Sequence, residues 1–79
     1  AILDSKGWVL FRLGYYKKAE PYFIKALKYS DDSEIVSHFV QVLLKLGKTK
    51  KAKKIFTKYI KLNPEDEKLI ELKSILNEI

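Results

Sequence analysis

The chain repeats a pattern of residues with a period of 33 positions. The residues that recur one period apart are Leu13-Gly14 with Leu46-Gly47, Ala19 with Ala52, and Phe23 with Phe56. A fixed period in this range is typical of solenoids, in which helix-turn-helix units stack side by side and present a curved surface to a partner. The repeat therefore indicates the kind of work that this chain does, but not the identity of its partner.

Composition allows a small folded domain of this kind. Of the 79 residues, 47% are hydrophobic, and they include one tryptophan, five tyrosines and four phenylalanines. This composition is too apolar for a disordered chain. No apolar run is long enough to cross a membrane, and the absence of cysteine excludes disulfides and thiolate metal ligands. Because the first residue is Ala1 rather than Met, we expect the chain to be a piece of a longer protein.

Apolar residues at helical spacing predict five helices joined by loops of about two to five residues. The first helix covers residues 2–13, and Gly14 ends it because glycine adopts the left-handed conformation of a helix C-terminus. The second covers 16–29, with Pro21 bending its first turns, and the third covers 34–46 and ends at Gly47. The positions predicted to face the core are Ala19, Tyr22, Phe23, Ala26 and Leu27, then Ile35, Phe39, Val42, Leu43 and Leu46, then Ala52, Ile55, Phe56, Tyr59 and Ile60, and finally Leu69, Leu72, Ile75, Leu76 and Ile79.

Polar residues are predicted to cap the starts of three helices. Asp31, with Glu34 three residues later, fits a capping box for the third helix. Thr49 fits the N-cap of the fourth helix. Asn63, followed by Pro64 at the first helical position, predicts a fifth helix over residues 64–79. Short loops make neighbouring helices antiparallel, so the fold class is all-α.

The repeated residues also match a known family. Its positions are occupied by Gly7, Leu10, Gly14, Tyr16, Ala19, Phe23 and Ala26 in the first unit, and by Leu43, Gly47, Ala52, Phe56 and Pro64 in the second. With these residues the chain resembles the tetratricopeptide repeat family over essentially its full length. The resemblance implies two antiparallel helix-turn-helix hairpins plus a C-terminal capping helix in a right-handed α-solenoid, with one repeat at 1–32, the next at 33–63 and the cap at 64–79. Val40 and Tyr59 stand at positions that are usually small, so we expect the second hairpin to be wider or rotated.

The two ends of the chain suggest different neighbours. Residues 2–14 resemble the last repeats of bacterial multi-repeat proteins, several of which are envelope lipoproteins, and this leaves the cytoplasm and the envelope both open. Lys73 lies where a close neighbour would bury its charge, so the fifth helix is expected to cap the array. The first helix carries Ile2 and Leu3 with no preceding cap. We therefore expect another hairpin to cover it in the intact protein, or the chain to form homo-oligomers through it.

The resemblance implies a binding surface on the concave wall, which the first helix of each hairpin lines. The candidate partner-binding residues are Asp4, Trp8, Phe11 and Arg12 from the first unit and His38, Gln41 and Lys45 from the second. The implied function is a non-catalytic scaffold or adaptor that binds a protein or peptide, with Trp8 as the apolar anchor and Arg12 and Lys45 selecting acidic ligands. The alternative is that an adjacent repeat covers Trp8 and that the charges are ordinary surface residues.

Some family members grip a C-terminal carboxylate with a clamp of Lys and Asn. The corresponding positions of this chain hold Asp4, Trp8, Ser37 and Gln41, so the clamp pattern is absent. The function of binding chaperone tails is therefore not carried over to this chain.

The net charge of +6 is concentrated in residues 48–61, which hold seven lysines and no acid. One face of the fourth helix carries Lys50, Lys54, Lys58 and Lys61. Such a face can bind nucleic acid or an anionic membrane. A solvated outer face is the favoured interpretation, because the family places this helix on the convex side and the segment lacks arginine. Acids of the fifth helix, Glu67 and Glu71, are expected to neutralise it in part.

Nothing in the sequence indicates an enzyme. His38 is the only histidine, so it has no second imidazole or cysteine with which to bind a metal. No serine lies in a recognisable nucleophile setting, and the glycines are too isolated to form a phosphate-binding loop. The sequence therefore predicts no cofactor, no metal and no small-molecule substrate, and an ordinary half-buried role for His38 competes with a role in the groove.

Overall fold

The structure is a computed structural model that describes the backbone of residues 2–77 and the side chains of residues 4–77. It contains the helices α1 (Ile2–Arg12), α2 (Tyr16–Tyr29), α3 (Ser33–Lys45), α4 (Thr49–Leu62) and α5 (Glu67–Asn77). The prediction of an all-α fold with five helices is confirmed. The predicted core position Ile79 and the side chains of Ile2 and Leu3 lie outside the described residues. Within the described part no helix is long and apolar enough to cross a membrane.

The helices form two hairpins followed by a single helix. α1 packs against α2, and α3 packs against α4, while α2 and α3 form the junction between the hairpins. α5 packs against both α3 and α4, which is the position of a first helix in a third unit. α3 is the centre of the molecule because it contacts each of the other four helices.

Glycine ends α1 and α3, as predicted. Gly14 has φ 89° and Gly47 has φ 77°, which is the left-handed region. At the first of these ends, the N–H of Gly14 donates to the carbonyl of Phe11 (3.0 Å), and the N–H of Tyr15 donates to the carbonyl of Leu10 (2.9 Å). This pair of bonds is the Schellman motif, and α3 ends with the same pair one period later. The repeat in sequence is therefore a repeat of loop geometry.

Gly7 allows α1 and α2 to approach closely. A Cβ at this position would lie 2.9 Å from Cε2 of Phe23 and 3.1 Å from Cβ of Tyr22, so the first hairpin has no room for a side chain here. The equivalent residue of the second hairpin, Val40, is completely buried. The second hairpin therefore accommodates two more methyl groups at the position where the first requires none.

The core is apolar throughout the described residues, and α3 supplies the largest share of it. Its buried side chains are Ile35, Val36, Phe39, Val40, Val42 and Leu43. The helical stripe predicted from the sequence missed Val36 and Val40, because α3 is covered on several sides and not on one face alone. Ile75 was expected in the core but is 43% exposed, since α5 buries only the face with Leu69, Leu72 and Leu76.

The predicted caps of α3 and α4 are each wrong by one residue. Asp32, not Asp31, caps α3, because its carboxylate reaches the N–H of Glu34 at 2.8 Å. α4 begins at Thr49 itself, and its N-cap Lys48 provides no side-chain cap. In both cases the N-cap is the residue directly before the first helical residue, which is one position away from the predicted one.

The fifth helix starts later than predicted. Asn63 ends α4, its N–H donating to the carbonyl of Tyr59 at 3.0 Å, and the next residues form a turn. Asp66 then caps α5 by accepting from the N–H groups of Lys68 (2.9 Å) and Leu69 (3.2 Å). The Ser33 hydroxyl is the main cause that lowers the pKa of the Asp66 carboxyl, and the two N–H groups add to it.

Candidate partner-binding groove

The predicted groove residues lie on α1 and α3, which contact each other directly. Both helices are the first of their hairpins, so they run in the same direction, and residues one period apart occupy equivalent positions on them. α1 supplies Asp4, Trp8, Phe11 and Arg12, and α3 supplies His38, Gln41 and Lys45. The structure brings Asp4, Trp8, Phe11 and His38 into one cluster, while Arg12 and Lys45 lie at the C-terminal ends of their helices.

Three rings are stacked at the centre of this cluster. The ring of His38 lies 3.8 Å from the ring of Trp8 with 11° between their planes, and the ring of Phe11 lies 4.7 Å from it with 10° between planes. Two rings parallel to the indole at these distances would overlap if they shared one face. Phe11 and His38 therefore cover opposite faces of Trp8.

A polar pair fixes the orientation of His38. Its Nδ1 lies 3.2 Å from Oδ1 of Asp4, and because an ionised carboxylate can only accept a hydrogen bond, we assign Nδ1 as the donor. Both side chains are largely buried, with 14% and 17% of their surfaces exposed. The ring of Phe23 meets the imidazole edge-on at 6.0 Å. His38 therefore ties α1 to α3 and rests against the core of the first hairpin.

The contact between Asp4 and His38 was not predicted from the sequence. Asp4 and His38 are 34 residues apart, one more than the period, so they do not occupy equivalent positions in their units. The only available signal was that the single histidine lies one residue beyond the counterpart of Asp4. Trp8 and His38 are 30 residues apart, three fewer than the period, so this stacking contact also joins residues at non-equivalent positions.

The rest of the groove is polar and locally satisfied. Gln41 donates from Nε2 to Oγ of Ser37 at 3.3 Å, one turn back on α3. The ring of Tyr16 contacts Phe11 at 5.3 Å and closes the aromatic cluster on the side of α2. The groove therefore has an aromatic floor bordered by two side-chain hydrogen bonds.

Two cations border the groove at one end. Arg12 and Lys45 are one period apart, both are exposed, and both lie in the last turn of a helix. Neither forms an ion pair with another residue of the range 4–77. No acidic residue occurs in the sequence from 35 to 64, which surrounds Lys45. This end of the groove is therefore positively charged.

The lysines predicted as a basic patch are exposed along α4. They are Lys50, Lys54, Lys58 and Lys61. Glu67 and Glu71, which were expected to neutralise this face in part, form no ion pair with α4 within the side chains described. The acid that faces the start of α4 is Glu20 of α2, whose Oε2 lies 2.9 Å from Nζ of Lys48 and 3.9 Å from Nζ of Lys51.

The surface offers hollows rather than an enclosed site. One of about 420 Å³ is lined by Asp4, Ser5, Ser30, Asp32, Glu34 and Ile35, beside the groove at its other end. Among residues 4–77 no group of three or more His, Asp or Glu side chains could hold a metal ion. The groove is thus acidic beside Asp32 and Glu34 and basic beside Arg12 and Lys45.

A comparison with protein-family models matches residues 11–66 to the family described as YpiA-like, C-terminal tetratricopeptide repeats. Comparisons with curated proteins and with solved structures found no match. The matched region runs from the last turn of α1 to the cap of α5, which is more than half of the chain. Tetratricopeptide repeats are in general non-catalytic modules that bind proteins or peptides. The chain belongs to the family of YpiA-like C-terminal tetratricopeptide repeats.

Proposed function

We propose that this chain is a non-catalytic interaction module that binds an acidic segment of a partner protein in the groove between α1 and α3. The observation that carries the proposal is the placement of Arg12 and Lys45. They stand at equivalent positions of adjacent parallel helices, exposed and next to a preformed aromatic cluster. An acidic side chain placed between them meets both cations, and its apolar neighbours meet the edge of Trp8.

The aromatic stack changes the role proposed for Trp8. Since Phe11 and His38 cover the faces of the indole, Trp8 cannot serve as a free anchor that enters a pocket of the partner. Its contribution is to hold the groove in one shape before the partner arrives, which reduces the ordering cost of binding. Substitution of Trp8 would therefore disturb both the fold and the binding, and a clean test must use the cations.

The test starts from peptides of random sequence displayed on phage and selected on the wild-type chain. We expect the selected peptides to contain Asp or Glu, and an enriched peptide is then titrated by calorimetry. The variant Arg12→Glu/Lys45→Glu should lose at least about tenfold in affinity, because attraction becomes repulsion at both positions. The matched control, Lys54→Glu/Lys58→Glu, makes the same change of charge on the exposed side of α4 and should bind like the wild type.

Two results would refute the groove proposal. One is a selection that yields peptides without acidic residues. The other is equal affinity in the groove variant and the control. Circular dichroism of both variants checks that the helices are intact, because a glutamate in the last turn of α1 or α3 opposes the helix dipole.

A second candidate function is that of a cap and self-association element, and one observation favours it. Val9 is 57% exposed, whereas its counterpart Val42, one period later, is completely buried. The face of α1 that carries Val9 is thus exposed, whereas the equivalent face of α3 is covered by neighbouring helices. Sedimentation velocity tests this, because a concentration-dependent dimer of the wild type should be lost in Val9→Glu. A wild type that stays monomeric at all concentrations contradicts it.

A further inference from the structure

One end of the molecule brings together two loops, 13–15 and 46–48. Leu46 lines the same hollow as Gly14, Tyr15 and Lys17, so the loops are neighbours. α2 and α4 begin at this end, and neither has an acidic residue in its first turn or a side-chain cap among the described residues. Because the C-termini of α1 and α3 lie beside these two helix starts, the helix dipoles largely cancel, and side chains set the charge of this surface.

The positive charge of this surface comes from lysines. Lys17 and Lys18 lie in the first turn of α2, and Lys48, Lys50 and Lys51 lie at the start of α4; all five are exposed. Lysines in a first turn oppose the helix dipole, so they cost stability where they stand. The only acid nearby in the sequence, Glu20, is already paired with Lys48 and Lys51.

Two large apolar side chains protrude at the same place. Leu13 is 65% exposed and Tyr15 is 53% exposed. They flank Gly14 at the tip of the loop, and the amine of Lys18 lies 5.3 Å from the ring of Tyr15. We call Leu13, Tyr15 and the five lysines the basic end.

The opposite end of the molecule has the reverse charge. The acids of the loops and helix starts located there are Asp4, Asp31, Asp32, Glu34, Glu65, Asp66 and Glu67, and they outnumber the lysines at this end, Lys28, Lys61 and Lys68. This separation of charge orients the molecule near a negatively charged surface, so that its basic end makes the first contact.

We propose that the basic end docks on a membrane surface that contains anionic phospholipids. Lysines at the start of α2 and α4 would contact headgroup phosphates, while Leu13 and Tyr15 enter the interfacial layer, where tyrosine is favoured. A protruding tip suits a flat, penetrable surface. A nucleic acid strand would need a channel to follow and would gain nothing from an exposed leucine. The basic end does not include the groove cations Arg12 and Lys45, so membrane docking does not depend on the groove.

The experiment is sedimentation of the chain with vesicles of equimolar phosphatidylglycerol and phosphatidylcholine, compared with vesicles of phosphatidylcholine alone. We expect the wild type to bind the first and not the second. Lys17→Gln/Lys18→Gln should lower the partition coefficient by about 30-fold, the effect expected for two lysines near an anionic surface. The matched control is Lys28→Gln/Lys61→Gln, which removes the same number of exposed lysines from the last turns of α2 and α4, at the other end of the molecule.

A second variant tests the apolar part. Leu13→Ser/Tyr15→Ser should also lose binding at least about tenfold. It should remain folded, since serine at the N-cap of α2 is better suited than tyrosine. Equal losses in the basic-end variant and its control would show unspecific attraction by net charge and overturn the proposal. Undiminished vesicle binding of the serine variant would also overturn it. A gel shift with DNA gives a third check: if Lys17→Gln/Lys18→Gln loses DNA retention but keeps vesicle binding, the lysines serve nucleic acid and the proposal is overturned.

Discussion

At the residue scale, a mostly buried polar pair joins α1 of the first repeat to α3 of the second. The carboxylate of Asp4 and the imidazole of His38 are mostly buried, and each is the other's partner. Trp8 stacks on the imidazole and adds an apolar contact at the same point. The register between α1 and α3 thus rests on three side chains, while the hairpins themselves rest on the extended core.

Removal of one partner of this pair should destabilise the fold. Asp4→Ala leaves the Nδ1 proton of His38 without an acceptor, and we expect a loss of about 1–2 kcal/mol in the free energy of unfolding by urea. The double variant Asp4→Ala/His38→Phe keeps an aromatic ring against Trp8 and removes both polar groups, so it should recover part of that loss. Asp31→Ala, at an exposed loop position, is the control and should change little. A double variant that is less stable than Asp4→Ala would contradict this account.

The close approach at Gly7 gives a second prediction. Gly7→Ala gains about 1 kcal/mol of helix propensity but forces a methyl group to within 2.9 Å of Phe23, and overpacking costs about 1–3 kcal/mol. We therefore expect a net loss in thermal stability. The same change in a Phe23→Leu background should lose less or gain, because the clashing ring is absent. A stabilised single variant would show that the ring of Phe23 moves aside without cost.

The sequence predicted which residues lie on the groove but not how they contact each other. The period places Trp8, Arg12 and Lys45 on one surface, since equivalent residues of stacked units face the same way. A contact between residues 34 apart depends on the tilt and shift of α3 against α1, and no periodicity encodes these. The covered faces of Trp8 were unpredictable for the same reason.

At the scale of the element, helix starts are the part of the fold that the sequence locates least well. Neighbouring candidates such as Asp31 and Asp32, or Asn63 and Asp66, carry the same chemistry, and the choice depends on which N–H groups each can reach. The number and order of the helices were predictable because five apolar stripes and two glycines mark them. Ile75 shows that apolar spacing alone does not predict burial, since a residue of the stripe is buried only where another helix packs against that side.

The cap of α5 gives a prediction that depends on pH. The Ser33 hydroxyl and the N–H groups of α5 lower the folded-state pKa of Asp66. A carboxyl of this kind stabilises the fold above its ordinary pKa of about 4, and the stabilisation is lost as the pH falls through the lower folded value. Asp66→Asn should therefore be less stable than the wild type in thermal unfolding at neutral pH. The difference should shrink as the pH falls below about 4, and a difference that grows in acid would contradict this assignment.

At the scale of the whole molecule, α5 is part of the core and not an appendage. Leu69, Leu72 and Leu76 are buried against α3 and α4, and α3 itself contacts every other helix. The two hairpins and the final helix therefore share one set of apolar contacts. We expect them to unfold together in a single transition.

Substitutions on α5 test this unity. Leu72→Ala should lower the stability of the entire chain by about 2–4 kcal/mol, because it opens a cavity at a side chain that is 2% exposed. The matched control is Ile75→Ala, which lies three residues later in α5. Its side chain is 43% exposed, so the free energy of unfolding should fall by under about 1 kcal/mol. Calorimetry and circular dichroism should report one midpoint for each variant. Two separate transitions in Leu72→Ala would show that α5 unfolds on its own.

The position of the single tryptophan gives this chain a built-in optical reporter. Trp8 is the only indole, and it lies at the α1–α3 junction between two other rings. Its intrinsic fluorescence therefore reads the local state of that junction, whereas far-ultraviolet dichroism reads all five helices. Separation of the first repeat from the second would change the emission of Trp8 while the helical signal persisted. A ligand that reaches the edge of the indole could be titrated without any label.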